Sequence, residues 1–381
     1  MQSEPIISPE LMKNRFTALD VLRGMTITAM LIVNNPGSWS HMYGPLQHAH
    51  FNGITPTDFI FPFFMFIMGF SIFLSMKKYA DNPRGAVRKI IDRTLKIFLL
   101  GLAINALSML VFRGFHPETL RILGVLQRLA LCYGAAALIA LYVKSIPRIL
   151  LLVFLTLIGY GFILAQGNGY VLDETNIVAL VDRAILGEAH MYHGEGFPFD
   201  PEGLLSTLPG ICHVLLGYIV SRATMSQPSA DVDTRRRLNQ LLVIGGLMSV
   251  AGVVLDALGV PFNKKIWSPS FVFVTCGAAT LFLALFDVLL RSKALVAVCH
   301  PFKVMGMNCI AIFVISDLLA IFLAAVGWGG PVYELLASAL APYLASPACE
   351  NLASFLFSIL FLLPNLLIAY ILHIRRVYIR L

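Results

Sequence analysis

Charge is what this sequence most lacks. Asp, Glu, Lys and Arg make up 13% of its 381 residues, roughly half the share of a soluble domain. With 58% hydrophobic residues and a mean hydropathy of +0.79, that scarcity excludes a large soluble core and implies an integral membrane protein. Signature loops are missing as well. There is no GxGxxG, Walker or GxSxG element, so dinucleotide, nucleoside-triphosphate and serine-esterase chemistry lose their usual markers. The six cysteines (Cys132, Cys212, Cys276, Cys299, Cys309 and Cys349) show neither metal-ligand spacing nor a disulfide framework and are expected to be packed thiols. No small-residue cleavage pattern follows the first apolar segment, which is expected to stay in the protein as an anchor. No internal repeat with broken helices in corresponding halves is visible, which weakens a secondary-transporter reading.

What is present is a series of apolar segments at about 19–39, 59–76, 95–112, 122–143, a fifth ending near 165, then 204–221, 238–258, 271–290, 304–326 and 352–373. They predict an all-α fold, a polytopic bundle of about ten transmembrane helices forming one domain over residues 1–381. That domain includes a histidine loop at 40–57 and a polar, acid-rich stretch at 166–202. Residues 327–349, broken by Gly and Pro, are expected as a short helix on the surface. Basic residues set the orientation. Loops on the side away from the termini carry Arg113, Arg121, Arg183, Lys264 and Lys265. Apart from Arg23 and Arg128, which fall within spans, the rest of the 28 Lys and Arg lie on the other side, Lys13, Arg15 and a basic segment from Lys77 to Lys96 among them. Positive charge stays cytoplasmic, so both termini are expected inside and the histidine loop outside. The +7 net charge then serves topology and anionic membrane lipid, and no nucleic-acid partner is expected.

The chain is organised around Gln47-His48-Ala49-His50-Phe51-Asn52-Gly53, two imidazoles in a loop where bilayer meets water. A neutral imidazole accepts a proton or an acyl group; an interfacial loop with structural histidines is the plainer alternative. Asp58 sits in Thr55-Pro56-Thr57-Asp58, which reads as a helix start, so it either caps that helix or fixes the tautomer of His48. Asn34, with Asn35, reaches the depth of the loop about 21 Å along the helix from Asp20, and either caps the helix end or orients a histidine or oxyanion. Asp20 and Arg23, three apart, form a boundary ion pair or present Arg23 to a phosphate. Arg121 and Arg128 are placed two turns apart on one face of the fourth span, with Gln127 alongside. A membrane arginine is a candidate functional group, and Asn308 and Asp317 in the ninth span are weaker candidates. His190 and His193 have HxxH spacing but no visible third ligand, so no metal site is expected.

Taken in order, these segments resemble the heparan-α-glucosaminide N-acetyltransferase family. The likeness runs through Arg15, Leu19-Asp20-Val21-Leu22-Arg23-Gly24, Val33-Asn34, His48-Ala49-His50-Phe51-Asn52-Gly53, Asp58-Phe59-Ile60-Phe61-Pro62 and Phe66-Ile67-Met68-Gly69. It continues through Arg121-Ile122-Leu123-Gly124-Val125-Leu126-Gln127-Arg128-Leu129, Phe199-Asp200-Pro201-Glu202-Gly203-Leu204-Leu205, Lys265-Ile266-Trp267-Ser268 and Gly306-Met307-Asn308. The resemblance implies acetyl-CoA as co-substrate from the cytoplasmic side and an amino-sugar acceptor of the glucosamine type on the far side. It makes His48 the catalytic histidine with Asn34 facing the same site. His50 stands where the animal pattern has a small residue. Animal members carry a long N-terminal extension ahead of the first catalytic span. This chain starts almost at that span, so a small amino sugar is the expected acceptor. The donor nucleotide is expected to be held by Arg23 and the basic segment through charge-assisted contacts, with Asp20, Gln127, Arg128 and Asn308 as further donor-site candidates. The expected location is a bacterial cytoplasmic membrane, and a homodimer is the assembly to test. A sugar permease, an acyltransferase acting on a cell-wall glycan and a non-catalytic membrane partner are the alternatives.

Overall fold

The structure, a computed structural model, describes residues 16–76, 79, 82–225 and 234–379. Arg15, where the family likeness begins, and the basic residues Lys13, Lys77, Lys78 and Arg380 lie outside the described residues. Nine helices among the described residues are long and apolar enough to cross a membrane, and a bent pair brings the count to as many as ten. The helices are α1 (Thr17–Asn34), α2 (Ile60–Met76), α3 (Pro83–Arg113), α4 (Val125–Tyr142), α5 (Ile146–Gln166), α6 (Ile177–Leu186) and α7 (Thr207–Met225). They continue as α8 (Thr234–Ala257), α9 (Pro269–Leu289), α10 (Lys293–Met307), α11 (Cys309–Ala325), α12 (Gly329–Leu340) and α13 (Ala348–Ile374).

The main apolar core lies between α1, α2, α4, α5, α7 and α9, around Leu22, Phe66, Phe70, Tyr133, Leu215 and Phe271. In a bilayer the hydrophobic effect does not drive helices together, so close backbone packing must. Glycines supply it in two reciprocal pairs. A Cβ on Gly24 would lie 1.5 Å from the carbonyl oxygen of Phe302, and one on Gly306 would lie 2.0 Å from that of Asp20, so α1 and α10 touch backbone to backbone. Gly69 and Gly217 do the same for α2 and α7, against the carbonyls of Val214 and Phe66.

Four features depart from the sequence reading. The basic segment is no loop after Pro83: Pro83 opens α3, Asn82 caps it by accepting from Gly85 N at 2.9 Å, and the helix runs 31 residues without interruption. At 1.5 Å per residue that is about 46 Å, longer than a hydrocarbon core of about 30 Å, so its basic first turns extend past the bilayer while its apolar remainder crosses. Arg121 is not on a helix face with Arg128, because α4 starts only at Val125 after an extended segment behind Gly124. The ninth span begins at Lys293, well before residue 304 where the hydropathy places it, and is broken at Asn308, where α10 and α11 meet at 77°. The acid-rich stretch holds a helix of its own, α6, capped by the Asn176 side chain. The short surface helix expected between Gly327 and Cys349 is there as α12, with no buried residue.

Loops 35–59, 114–124, 167–206 and 258–268 gather at one end of the bundle. Gly53 N donates to Phe262 O at 2.7 Å, Asn52 Nδ2 to Tyr170 O at 2.9 Å, and Ile122 N to His190 O at 3.2 Å. Arg23, Lys89, Arg93 and Asn308 lie toward the opposite end, around a separate cavity.

Candidate active site

His48 lies in a loop that has no regular structure of its own, so its position depends on the contacts of its neighbours. Asn52 Oδ1 accepts from Asn263 Nδ2 at 3.0 Å, and the single Thr55 hydroxyl proton is shared between Gln47 O (2.7 Å) and Asp58 Oδ2 (3.0 Å). Asp58 supplies the remaining anchor and resolves the two readings of it, since one carboxylate does both jobs. Its Oδ2 accepts from Thr55 N (3.0 Å), Thr55 Oγ1 (3.0 Å) and Ala49 N (3.1 Å), capping the turn that leads into α2. Its Oδ1 takes the Nδ1–H of His48 at 2.7 Å. A carboxylate on Nδ1 fixes the tautomer that leaves a lone pair on Nε2. Asp58 is 1% exposed and the imidazole 44%, so the dyad is anchored inside and open outside.

His48, Asp58, Asn34, Phe61, Glu202 and Lys264 line a space of about 440 Å³ whose floor is Trp267. Asn35, not Asn34, ties down the end of α1, through Nδ2 to Leu31 O at 2.9 Å. That leaves the Asn34 amide facing the cavity. His50 is exposed and lines none of the cavities described here, which separates the two imidazoles of the loop. His190 and His193 each hydrogen-bond a backbone carbonyl, of Leu120 and Met191.

Lys264, Arg121 and Lys265 bring further charge to this cavity, and of these Lys264 was not among the candidates read from the sequence. Lys264 Nζ is 3.1 Å from Nδ1 and 3.4 Å from Nε2 of His48, and 3.7 Å from Asp58 Oδ1. With the Nδ1 proton given to Asp58, the ammonium sits close to both ring nitrogens and to the carboxylate that they share. Burial pushes the Lys264 ammonium below its ordinary range, against the pull of Asp58 and Glu202. Arg121 grips Asp200 through Nε and Nη2 (3.0 and 2.7 Å) and Glu202 through Nη2 (2.7 Å), and its guanidinium lies 4.9 Å from the centre of the Tyr192 ring. Burial lowers its pKa, but the two carboxylates more than offset this and hold it above the ordinary value. Lys265 pairs with Glu195 at 2.6 Å. Lys264 enters the sequence reading only as an outer basic residue, its nearest signal being the adjoining Lys265-Ile266-Trp267-Ser268 match, whereas Arg121 is a candidate there on a helix face with Arg128.

Beneath the floor, Arg128 is fully buried. It donates to Gly203 O at 3.1 Å and to Ser206 Oγ, and its guanidinium lies 5.1 Å from the Trp267 ring. Its Nε and Nη1 have no hydrogen-bond partner among the described residues. Gln127 is buried beside Gly101. Neither lines the cavities; both sit behind the wall. Asp182 braces the same wall, its Oδ1 accepting from Leu204 N (2.9 Å) and Leu205 N (3.0 Å), with Oδ2 unpartnered among the described residues. Burial lifts Asp182 from 3.8 to about 6. Its folded-state pKa lies above the unfolded value, so the folded protein holds this proton more tightly. The stability that goes with it is complete below about pH 4 and is lost as the pH rises to about 6. Asp182→Asn, which does not titrate, is therefore expected to gain on the wild type by about 3 kcal/mol between pH 4 and pH 7. Thermal unfolding of both proteins across that range checks this, and a constant gap would refute it.

From the His48 cavity a row of cavities with shared lining residues runs into the bundle. Phe61 and Val125 line both that cavity and a narrow apolar one of about 30 Å³. Phe64, Leu129, Cys309 and Ile310 line both the narrow one and a third cavity of about 360 Å³, where Arg23, Lys89 and Arg93 converge. Arg23 bonds Asp20 at 3.2 Å and Ser71 Oγ at 2.8 Å, so the ion pair and the place beside the cavity coexist. Asn308 also lines it, but its amide is engaged by the C-terminal backbone: Nδ2 donates to Val377 O at 3.0 Å and Oδ1 accepts from Ile379 N at 2.9 Å.

Comparison with known proteins points one way. The family model described as heparan-alpha-glucosaminide N-acetyltransferase, catalytic, matches residues 15–250. The heparan-alpha-glucosaminide N-acetyltransferase of Homo sapiens is 29% identical over 352 residues, 79% of this chain and 52% of the human protein. That of Mus musculus is 27% identical over 359 residues, 80% of this chain and 54% of the mouse protein. The chain thus spans about half the length of the curated relatives it matches.

Proposed function

The chain belongs to the heparan-alpha-glucosaminide N-acetyltransferase catalytic family, and from that premise we propose that it is a membrane acetyltransferase that moves acetyl from acetyl-CoA to the amine of a glucosamine-type sugar. The observation that carries this reading is the row of adjoining cavities, with a carboxylate–imidazole dyad at one end and a basic pocket at the other.

The roles follow from chemistry. Lys89, Arg93 and Arg23 suit the phosphates of the CoA nucleotide. By the positive-inside rule their end of the bundle is cytoplasmic, with both termini, and the His48 end is extracytoplasmic. This suits a multi-pass protein of a bacterial cytoplasmic membrane. Arg23 and Asn34 are about 16 Å apart along α1, a distance for the thin pantetheine arm to cover through the apolar waist. At the far end His48 Nε2 carries the reaction. It takes the proton from the sugar ammonium and frees the amine for attack, or it takes the acetyl group itself and hands it on. In both cases the C–S bond breaks, an amide C–N bond forms, and CoA leaves as the thiol. Asp58 holds the imidazole in the required tautomer and balances its charge, and Asn34 offers an amide N–H to the carbonyl oxygen as it becomes an oxyanion. Arg128 acts as a positioning residue behind the wall, through the segment 200–207 that carries Glu202.

The test is turnover of purified protein in proteoliposomes with acetyl-CoA and glucosamine, followed by formation of N-acetylglucosamine. Sugar uptake without acetylation would replace this reading with a permease. On the donor side, Lys89→Glu is expected to weaken CoA binding at least about tenfold, the scale of one charge-assisted contact of about 1.5 kcal/mol. Calorimetric titration with CoA measures this, and an unchanged Kd would move the nucleotide elsewhere.

A further inference from the structure

The cavity that holds the dyad has a larger neighbour. A space of about 930 Å³ adjoins it, and Arg121 and Tyr192 line both. The dyad's own cavity, at about 440 Å³, already falls in the range that encloses a small ligand. The second space is therefore more than a monosaccharide and an acetyl group require.

Its walls differ in kind. One is the last turns of α3, with Asn105, Ser108 and Phe112 facing the cavity. Along that helix Leu95, Leu99, Leu110, Val111 and Phe112 are exposed, and Phe115 just beyond it is too. In a bilayer these side chains contact acyl chains. The other wall is the polar loop around Ala189, Tyr192 and His193, which belongs to the water-facing end of the bundle. Arg113, the last residue of α3, also lines the cavity and is exposed. Such a cavity opens across the boundary between hydrocarbon and water, where an amphiphile lies with its tail beside Phe112 and its polar head toward Arg121. The shared wall then delivers that head to His48. A soluble sugar has no use for the hydrocarbon side.

We propose that this cavity seats the lipid portion of a membrane-anchored amino-sugar acceptor, a glycolipid with a free amine on its terminal sugar, which enters the catalytic cavity sideways from the bilayer. The inference rests on the transferase reading above and adds the class of acceptor.

The experiment compares methyl and dodecyl glucosaminide as acceptors for the full protein in lipid nanodiscs with acetyl-CoA. Ser108→Trp on the α3 wall and Ala189→Trp on the loop wall each fill the cavity. Each is expected to lower the dodecyl-to-methyl ratio of kcat/KM roughly tenfold, the scale on which a filled apolar pocket discriminates. Taking a ratio within one protein removes the contribution of simple partition into lipid. In the wild type, dodecyl glucoside, which has no amine, is expected to compete with dodecyl glucosaminide, and methyl glucoside at equal concentration is not. An unchanged ratio in both variants, or no competition by dodecyl glucoside, overturns the proposal while acetylation of methyl glucosaminide leaves the transferase reading standing. Acetylation of neither glucosaminide by the wild type overturns both.

Discussion

His48→Ala is expected to lower acetyl transfer about 10³-fold in kcat, the contribution of a positioned acid–base or nucleophilic group, with CoA affinity changed little because the basic cavity lies at the other end of the bundle. The companion change separates the two duties of Asp58. Asp58→Asn breaks the 2.7 Å contact that sets the His48 tautomer. Thr55→Val leaves that contact and removes one of the three donors on the other oxygen. Only Asp58→Asn is expected to approach the His48→Ala loss. Thr55→Val should cost about 1 kcal/mol of stability and little rate. Single-turnover rates with saturating acetyl-CoA and glucosamine decide the matter, and a His48→Ala protein with wild-type kcat would take this imidazole out of the chemistry.

The second large effect lies in the middle of the bundle. Leu129 lines both the apolar waist and the basic cavity, and the waist, at about 30 Å³, has room for little more than one water. Leu129→Trp is expected to cut transfer at least about 100-fold by holding the thioester short of His48, since even a misplacement of about 1 Å costs that much. CoA binding should survive within a few-fold, because the added ring lies inward of the nucleotide cations. Paired turnover and CoA titrations on the one variant check this. Full activity with a plugged waist would mean that the acetyl group takes another route.

The sequence made the bundle legible because hydropathy and the placement of Lys and Arg act over whole segments. Asn34, His48 and Asp58 were legible for a local reason: they sit in or beside polar breaks between apolar runs. Boundaries that depend on a single residue were not. Pro83 reads as an interruption, yet at the first position of a helix it starts one, and the basic loop became the first turns of α3. Asn308 reads as a polar residue within a span; the 77° bend there comes from packing between distant segments, with the C-terminal backbone bonded to its amide. Lys264 was hidden for another reason. It is 216 positions from His48 in the chain, and no periodicity links a loop residue to a partner so distant. The Arg121 cluster was misplaced because the fourth span was started three residues early, which put on a helix face a guanidinium that instead closes onto Asp200 and Glu202.

The narrowness of the waist matters for the cell as well as for the proposed chemistry. A membrane under 100 mV drives each elementary charge with about 2.3 kcal/mol, so a standing water column from one face to the other would discharge it. A constriction lined by Met30, Phe64, Phe313 and their neighbours sheds water when empty, as hydrophobic gates do. On the proposed route such a waist blocks leakage by default, and a guest that carries its own apolar surface is the one expected to fill the gap and pass.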